Sequence, residues 1–401
     1  MSIICFESEA VGASENLYFD INKNKFLKKV DKNEAIWLYG SYNKDYNSLN
    51  DLFALDRVKF NLEIPEKYIT LSKTLGCKNP IWEYILPNEI YKKCFFSFFK
   101  KVLKKFCESD KKYYLDTFKH VSIFDHLEKA YINEKIYKDY ENCEKNSSLL
   151  KILKTFSPQQ DGYANNIKYD RFSSKTGRLK VLDGPSILTL KKEYKNIIKS
   201  SYKNGKIVQF DYKEFEARIF LSVVNKNFYT EDVYELIKNK IFYDKLTRNE
   251  SKILSLSILF GLSDYRIDFF AKKCNKSSES LKKEIYDFFD YNNLNEILNK
   301  NLNDGKIKNY FGREIVVDKK SNIISLYIQS SGVDASLIGF SNIVNYSKKM
   351  KFLLRPLFIQ HDALIVDISE SSFDNVEDIK NIGSKIEKLN GAFPIKHSII
   401  E

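Results

Sequence analysis

Lys206-Ile207-Val208-Gln209-Phe210-Asp211-Tyr212-Lys213-Glu214-Phe215-Glu216-Ala217-Arg218 is the stretch that decides how this chain is read. Its first five residues form a short apolar run of strand type, and the run breaks at Asp211 into a segment that reads as a helix start. A carboxylate there sits at a strand end, near the N–H groups of the following helix. That is a poor place to bury charge and a good place to hold a cation, although a helix cap explains a single Asp equally well. A second carboxylate, Asp362, follows His361 between the apolar runs Leu357-Phe358-Ile359 and Leu364-Ile365-Val366. A hairpin there presents both residues at its tip, where turn chemistry alone also accounts for an Asp.

Between the two carboxylates the spacing predicts a helix over about Leu246 to Leu262. In it Arg248, Lys252, Leu256 and Phe260 recur every four residues as one stripe. Two cations followed by two apolar groups suit a polyphosphate at one end and a base or sugar at the other. The same stripe also fits an ordinary amphipathic helix with two surface cations.

Composition sets the outer bounds. The 401 residues exceed one typical domain, so two or three packed units are expected. The net charge of +12 and the pI near 9.0 favour a polyanionic partner, while Lys, Asn and Ile abundance also fits AT-rich coding. Only eight of the 65 Lys and Arg residues are arginine, and Arg178, Arg218, Arg248 and Arg313 fall inside candidate motifs, where a rigid planar fork has a use. Cys5, Cys77, Cys94, Cys107, Cys143 and Cys274 show neither metal-ligand spacing nor a secretory context, so free thiols in a reducing compartment are expected. Acidic residues in the first thirty positions argue against a transit peptide. No apolar stretch is read as long enough to span a bilayer, and a soluble intracellular protein without a membrane partner follows.

Along the chain, residues 1–87 read as a small mixed or β-rich unit of unassigned function. Residues 88–155 read as Lys-rich amphipathic helices, including Glu89 to Cys107 and His120 to Tyr140. Ser157 to Asn166 reads as a loop within a last region of residues 156–401, and from Lys206 onward short strands alternate with helices as in an α+β core carrying a helical insertion.

The motifs together resemble the polymerase domain of family A DNA polymerases, the bacterial polymerase I type. Asp211 to Arg218 is similar to the family's D-Y-S-Q-I-E-L-R, and Arg248 to Gly261 to its R-x3-K-x7-Y-G helix with Phe260 in place of Tyr. Phe358 to Val366 is similar to the H-D motif, Thr176-Gly177-Arg178-Leu179 to T-G-R-L, and Gln329 to Asp334 to Q-G-x-A-x-D. Phe311-Gly312-Arg313 matches the turn upstream of that last element. The order of carboxylate, basic helix, carboxylate is that of a nucleotide polymerase.

The resemblance implies a right-hand architecture with an antiparallel-sheet palm, helical fingers over about 225–310, and a small helical thumb at 88–155. It implies Asp211 and Asp362 as ligands of two Mg²⁺ ions, with Mn²⁺ able to substitute. It implies Arg248 and Lys252 on the triphosphate of a deoxynucleotide, with Lys252 also a proton donor to pyrophosphate. Phe260, Tyr212, Glu216 and Leu256 would form the nucleotide pocket, and Thr176, Arg178, Gln329, His361 and Arg313 would meet primer-template DNA. Glu216 limits room beside the sugar 2′ carbon in the family, which favours deoxynucleotides. Leu256 departs from the family's aromatic residue, Ala363 from an acidic one and Ser330 from a glycine. The segment before residue 88 is too short for the family's proofreading exonuclease, so none is expected. The expected activity is DNA-templated DNA synthesis by a monomer of bacterial or viral type. An RNA polymerase or reverse transcriptase activity on the same scaffold stands as the alternative, as does a catalytically silent nucleic-acid-binding protein. A primase, helicase or processivity partner is not inferable.

Overall fold

The computed structural model describes residues 3–30, 36–41, 47–55, 58–226, 231–261, 264–318 and 321–401, excluding the side chains of 55, 117–122, 264 and 265. It resolves into two compact units, 1–114 and 115–401.

The first unit is built on a five-stranded sheet of β1 (Ile3–Phe6), β2 (Leu17–Asp20), β3 (Lys25–Leu27), β4 (Ile36–Tyr39) and β5 (Asn47–Ser48), in the order β3-β2-β1-β4-β5. β1 runs antiparallel to β2 and parallel to β4. Helix α1 (Asn88–Glu108) buries Tyr91, Phe95, Phe98, Phe99, Val102 and Phe106 along one stripe at helical spacing. Those rings meet the strands edge-on: Phe6 lies 5.9 Å from Phe95 and Phe19 lies 4.7 Å from Phe99, centroid to centroid. The boundary expected after residue 87 is therefore corrected to 114, because α1 completes the core of the sheet before it.

The expected helix His120 to Tyr140 is also corrected. A helix over Lys111–Val121 gives way to a 3₁₀ turn at Ser122–His126 and a short strand at Tyr131–Ile132. A fresh helix, Glu134–Cys143, then starts under the Asn133 cap, whose side chain accepts from the Ile136 N–H. The side chain of His120 lies outside the described residues.

The second unit is organised around a four-stranded antiparallel sheet of β6 (Lys206–Tyr212), β7 (Leu354–Gln360), β8 (Ala363–Ile368) and β9 (Ile395–Ile399), in the order β7-β8-β6-β9. Alternation along β6 separates two environments. Ile207 joins a core with Ile132, Leu153, Phe156, Ile187, Ile197 and Phe358. Tyr212, on the opposite face, stacks on Phe215 at 4.4 Å and lies 5.6 Å from Phe340. Helix α2 (Phe215–Val223) follows β6 directly. Among the described residues, the stretch from there to residue 300 includes α3 (Arg248–Phe260) and four further helices, the expected helical insertion. The expected end of α3 at Leu262 lies outside the described residues.

Helix α4 (Ile323–Lys349) packs against α2 and against α5 (Val376–Gly383), and it is buried on nearly every side. It corrects one expectation. By length and composition it is apolar enough to cross a membrane, yet 72% of its most apolar window is buried inside the protein, as a core helix requires.

Gly339 on α4 marks the closest approach in this core. The Tyr212 hydroxyl donates to the Gly383 carbonyl oxygen at 2.7 Å, and a Cβ on Gly339 would overlap that hydroxyl. Gly339→Ala is expected to cost about 1–3 kcal/mol in denaturant unfolding. Gly332→Ala, whose added methyl would meet only Phe215 at 3.7 Å, is expected to be neutral or stabilising.

Candidate active site

Asp211 is the penultimate residue of β6 and pairs with Ala363 of β8. His361 and Asp362 are the two-residue turn that joins β7 to β8, with His361 in the left-handed region at φ 55°. The Tyr212 N–H donates to the Asp362 carbonyl oxygen at 3.2 Å, which ties the turn to the end of β6. Both carboxylates thereby line one cavity of about 760 Å³. Burial raises the Asp362 carboxyl above the usual range, and the charge of Asp211 raises it further. Two carboxylates sharing a half-buried cavity in this way are poised for a cation.

The cationic side comes from α3. Thr247 caps it, its hydroxyl accepting from the Glu250 N–H while the Glu250 carboxylate accepts from the Thr247 N–H. Lys273, donating to Glu250 at 2.6 Å, is the main cause that holds this carboxyl down to about 2. Arg248, Lys252 and Leu256 all line the cavity, whereas Phe260 does not. The stripe explains the difference: each four-residue step overshoots a 3.6-residue turn by about 40°, so the fourth member has rotated away by about 120°.

Arg248 is held in place by acidic neighbours. Its Nε donates to Asp232 at 2.8 Å and its Nη2 to Glu214 at 2.9 Å. Glu214 caps α2 in the left-handed conformation, at φ 45°, and is buried against Arg218 at 2.7 Å, with both side chains 2% exposed. Buried charges survive only when paired in this way. Tyr234, 5.7 Å beneath the Arg248 guanidinium, completes this wall.

Tyr212, Glu216, Arg178, Gln329 and His361 also line the cavity. Burial raises the Glu216 carboxyl, opposed by Arg178, which donates to it at 3.2 Å. Tyr212 contributes its ring only, since its hydroxyl is engaged on Gly383.

Two expected DNA contacts do not reach the cavity. Arg313 is 2% exposed, lies directly beneath Gly177 and donates to the Arg171 carbonyl oxygen at 3.0 Å, so it props the Thr176-Gly177-Arg178 turn from inside. Gly177 sits at φ 76°, and a Cβ there would overlap that guanidinium. Thr176 is likewise buried, at 6% exposure.

The sequence reading missed Glu214, Asp232, Tyr234 and Lys396, all of which line the cavity, and Lys195 behind it. Lys195 is buried at 6% exposure and donates to the side-chain carbonyls of Gln209 and Gln360, two residues before Asp211 and Asp362 respectively. Glu214 lay inside the quoted motif, and its spacing of four from Arg218 was a usable signal. Nothing local marked the others.

No family model matches the chain, and no curated protein does. Among solved structures, the chain is similar to the POL domain of Pol1 from M. smegmatis in complex with DNA primer-template and dNTP. The TM-score is 0.53 at 19% identity, over 63% of this chain. The shared fold is that of a polymerase domain. The chain spans 50% of the length of that structure. The mixed α+β class expected for the chain agrees with this likeness.

The raised Asp362 carboxyl has a consequence for stability. A group whose pKa is raised by folding stabilises the fold below the ordinary carboxylate range, and that contribution is lost as pH rises through the raised value. In chelator at about pH 7, Asp362→Asn is expected to be more stable than the parent by about 0.5–2 kcal/mol, with the gap closing toward about pH 4. Denaturant midpoints at the two pH values check this; equal gaps at both would contradict it.

Proposed function

We propose that the chain is a DNA-templated DNA polymerase of the family A type that lengthens a primer 3′ end with deoxynucleotides. The observation that carries this reading is a convergence. Asp211, the pair Arg248 and Lys252, Asp362, Arg178 and Gln329 come from five separate stretches of sequence, yet all line one cavity in a chain with a polymerase-domain fold. The cavity volume also suits a nucleotide-sized ligand.

The donor set fits divalent cations of the Mg²⁺ type. Hard oxygen ligands at the end of β6 and in the neighbouring β7–β8 turn suffice, because Mg²⁺ is commonly held by one or two carboxylates together with substrate phosphates. Among the described residues, no cluster of three or more His, Cys, Asp or Glu competes for that role. Asp211 and Asp362 would hold two such ions, which supply Lewis-acid stabilisation of charge on the transferring and departing phosphates.

The remaining chemistry belongs to the chain. Arg248, oriented by Glu214 and Asp232, grips the triphosphate with its remaining N–H groups. Lys252, one turn along, neutralises the same phosphates and holds a proton at Nζ for the leaving pyrophosphate. Leu256 offers an apolar surface to the sugar or base. Glu216, steadied by Arg178, limits the space beside the sugar and so favours deoxynucleotides. Arg178 and Gln329 face acceptors that all correct pairs share in the minor groove, a check on pair shape. His361 lies against the primer end. In this reading the sheet β6 to β9 is the palm and the helices over about 225–310 are the fingers.

Primer extension with Mg²⁺ and deoxynucleotides is expected to fall by at least about 10²–10³-fold in both Asp211→Ala and Asp362→Ala. Full activity in either variant would sink the reading. Lys252→Ala is expected to lower kcat by about 10²–10⁴-fold with a smaller change in KM for the nucleotide. Parallel reactions with ribonucleotides should be markedly slower.

A further inference from the structure

Lys396 projects from the edge strand β9 directly opposite Asp211 in the β6–β9 register, and its ammonium lies 2.8 Å from the Asp211 carboxylate. It lines the same cavity. No motif pointed to it, and the proposed synthesis makes no use of it.

Three features make this more than a surface ion pair. Its acceptor is one of the two carboxylates proposed to hold the cations, so pairing and metal binding compete for the same oxygens. Asp211 is only 21% exposed and shares its cavity with Asp362, so a positive charge here offsets repulsion between two like charges. Lys396 is 57% exposed on a flexible four-carbon stem, free to swing into solvent once displaced. The other cations near the pair are differently placed: Lys195 is anchored on Gln209 and Gln360, and Lys252 stands on α3.

We infer that Lys396 is an internal counter-ion of the metal site, occupying Asp211 while the site is empty and giving way when a divalent cation arrives. This rests on the assignment of Asp211 and Asp362 as the cation-binding pair. The ammonium is a monovalent stand-in that offsets the Asp211 charge in the absence of metal. Its cost is weaker binding of metal alone, since the incoming ion must break the pair and then tolerate a nearby positive charge. Once displaced, the ammonium remains at the cavity edge, where a metal-bound polyphosphate would draw it away from Asp211. Metal and polyphosphate therefore support each other's binding.

The test is direct binding of Mn²⁺ to the full chain, by electron paramagnetic resonance or calorimetry, without DNA or nucleotide. Lys396→Gln is expected to bind Mn²⁺ about three- to tenfold more tightly than the parent, and Lys396→Arg to match the parent. High salt should narrow the difference by screening the exposed ammonium. The metal-free Lys396→Gln protein should melt lower than the parent and gain more from added Mn²⁺. If Asp211→Asn weakens Mn²⁺ binding but Lys396→Gln binds like the parent, the counter-ion role is overturned and the metal site stands. If Asp211→Asn leaves Mn²⁺ binding unchanged, the metal assignment itself fails, and the counter-ion role falls with it.

Discussion

The alignment of β6 between β8 and β9 is the constraint on which the rest of this unit depends. Asp211 faces Ala363 on one side and Lys396 on the other, and the turn before Ala363 delivers Asp362 beside it. Because strand side chains alternate, a slip of one residue would turn Asp211 toward α4 and bring Phe210 into the cavity. The register is held by apolar burial on both faces: Ile207 in one core, Tyr212 against Phe215 and Phe340 in the other. Positioning of the charges is thus a by-product of where the apolar residues must go.

Charge is the cost of this arrangement, and pairing disperses it. Glu214 accepts from both Arg218 and Arg248, so a buried acid joins the structural core to the cavity wall. It does so from a left-handed backbone that side chains seldom adopt, a local strain that surrounding structure must outweigh. Lys195 plays a similar part behind the sheet, where burial pushes its ammonium pKa down while the charge of Asp211 opposes that shift. Among the described residues Lys396 is the ion-pair partner of Asp211, and its own side chain is more than half exposed.

Local chemistry was legible wherever the pattern was periodic or punctuated. The apolar run ending at Asp211, the hairpin tip at His361-Asp362 and the helix carrying Arg248 and Lys252 all stood in the sequence. So did the loop after Ser157. The sequence ran out where a placement depended on distant partners. The Phe-rich face of α1 read as the start of a helical domain, whereas its rings complete the core of the preceding sheet. Arg313 read as a DNA contact because it stands in a motif, yet it supports that motif from beneath Gly177. Phe260 kept the stripe's spacing and lost its direction, because 3.6 residues per turn does not divide into four.

What the sequence determined by itself, then, was the kind of chemistry: which carboxylates, which cations, in what order, on elements whose type follows from short-range periodicity. The tertiary structure decided which of those groups meet and what keeps them apart. Lys396 stands 185 positions from Asp211, Glu214 answers to Arg248 across 34, and Arg171 reaches Asp334 across 163. Such pairings depend on strand register and on helices docking over a shared core. No local propensity encodes them, because their free energy exists only once the apolar surfaces on either side have been buried together.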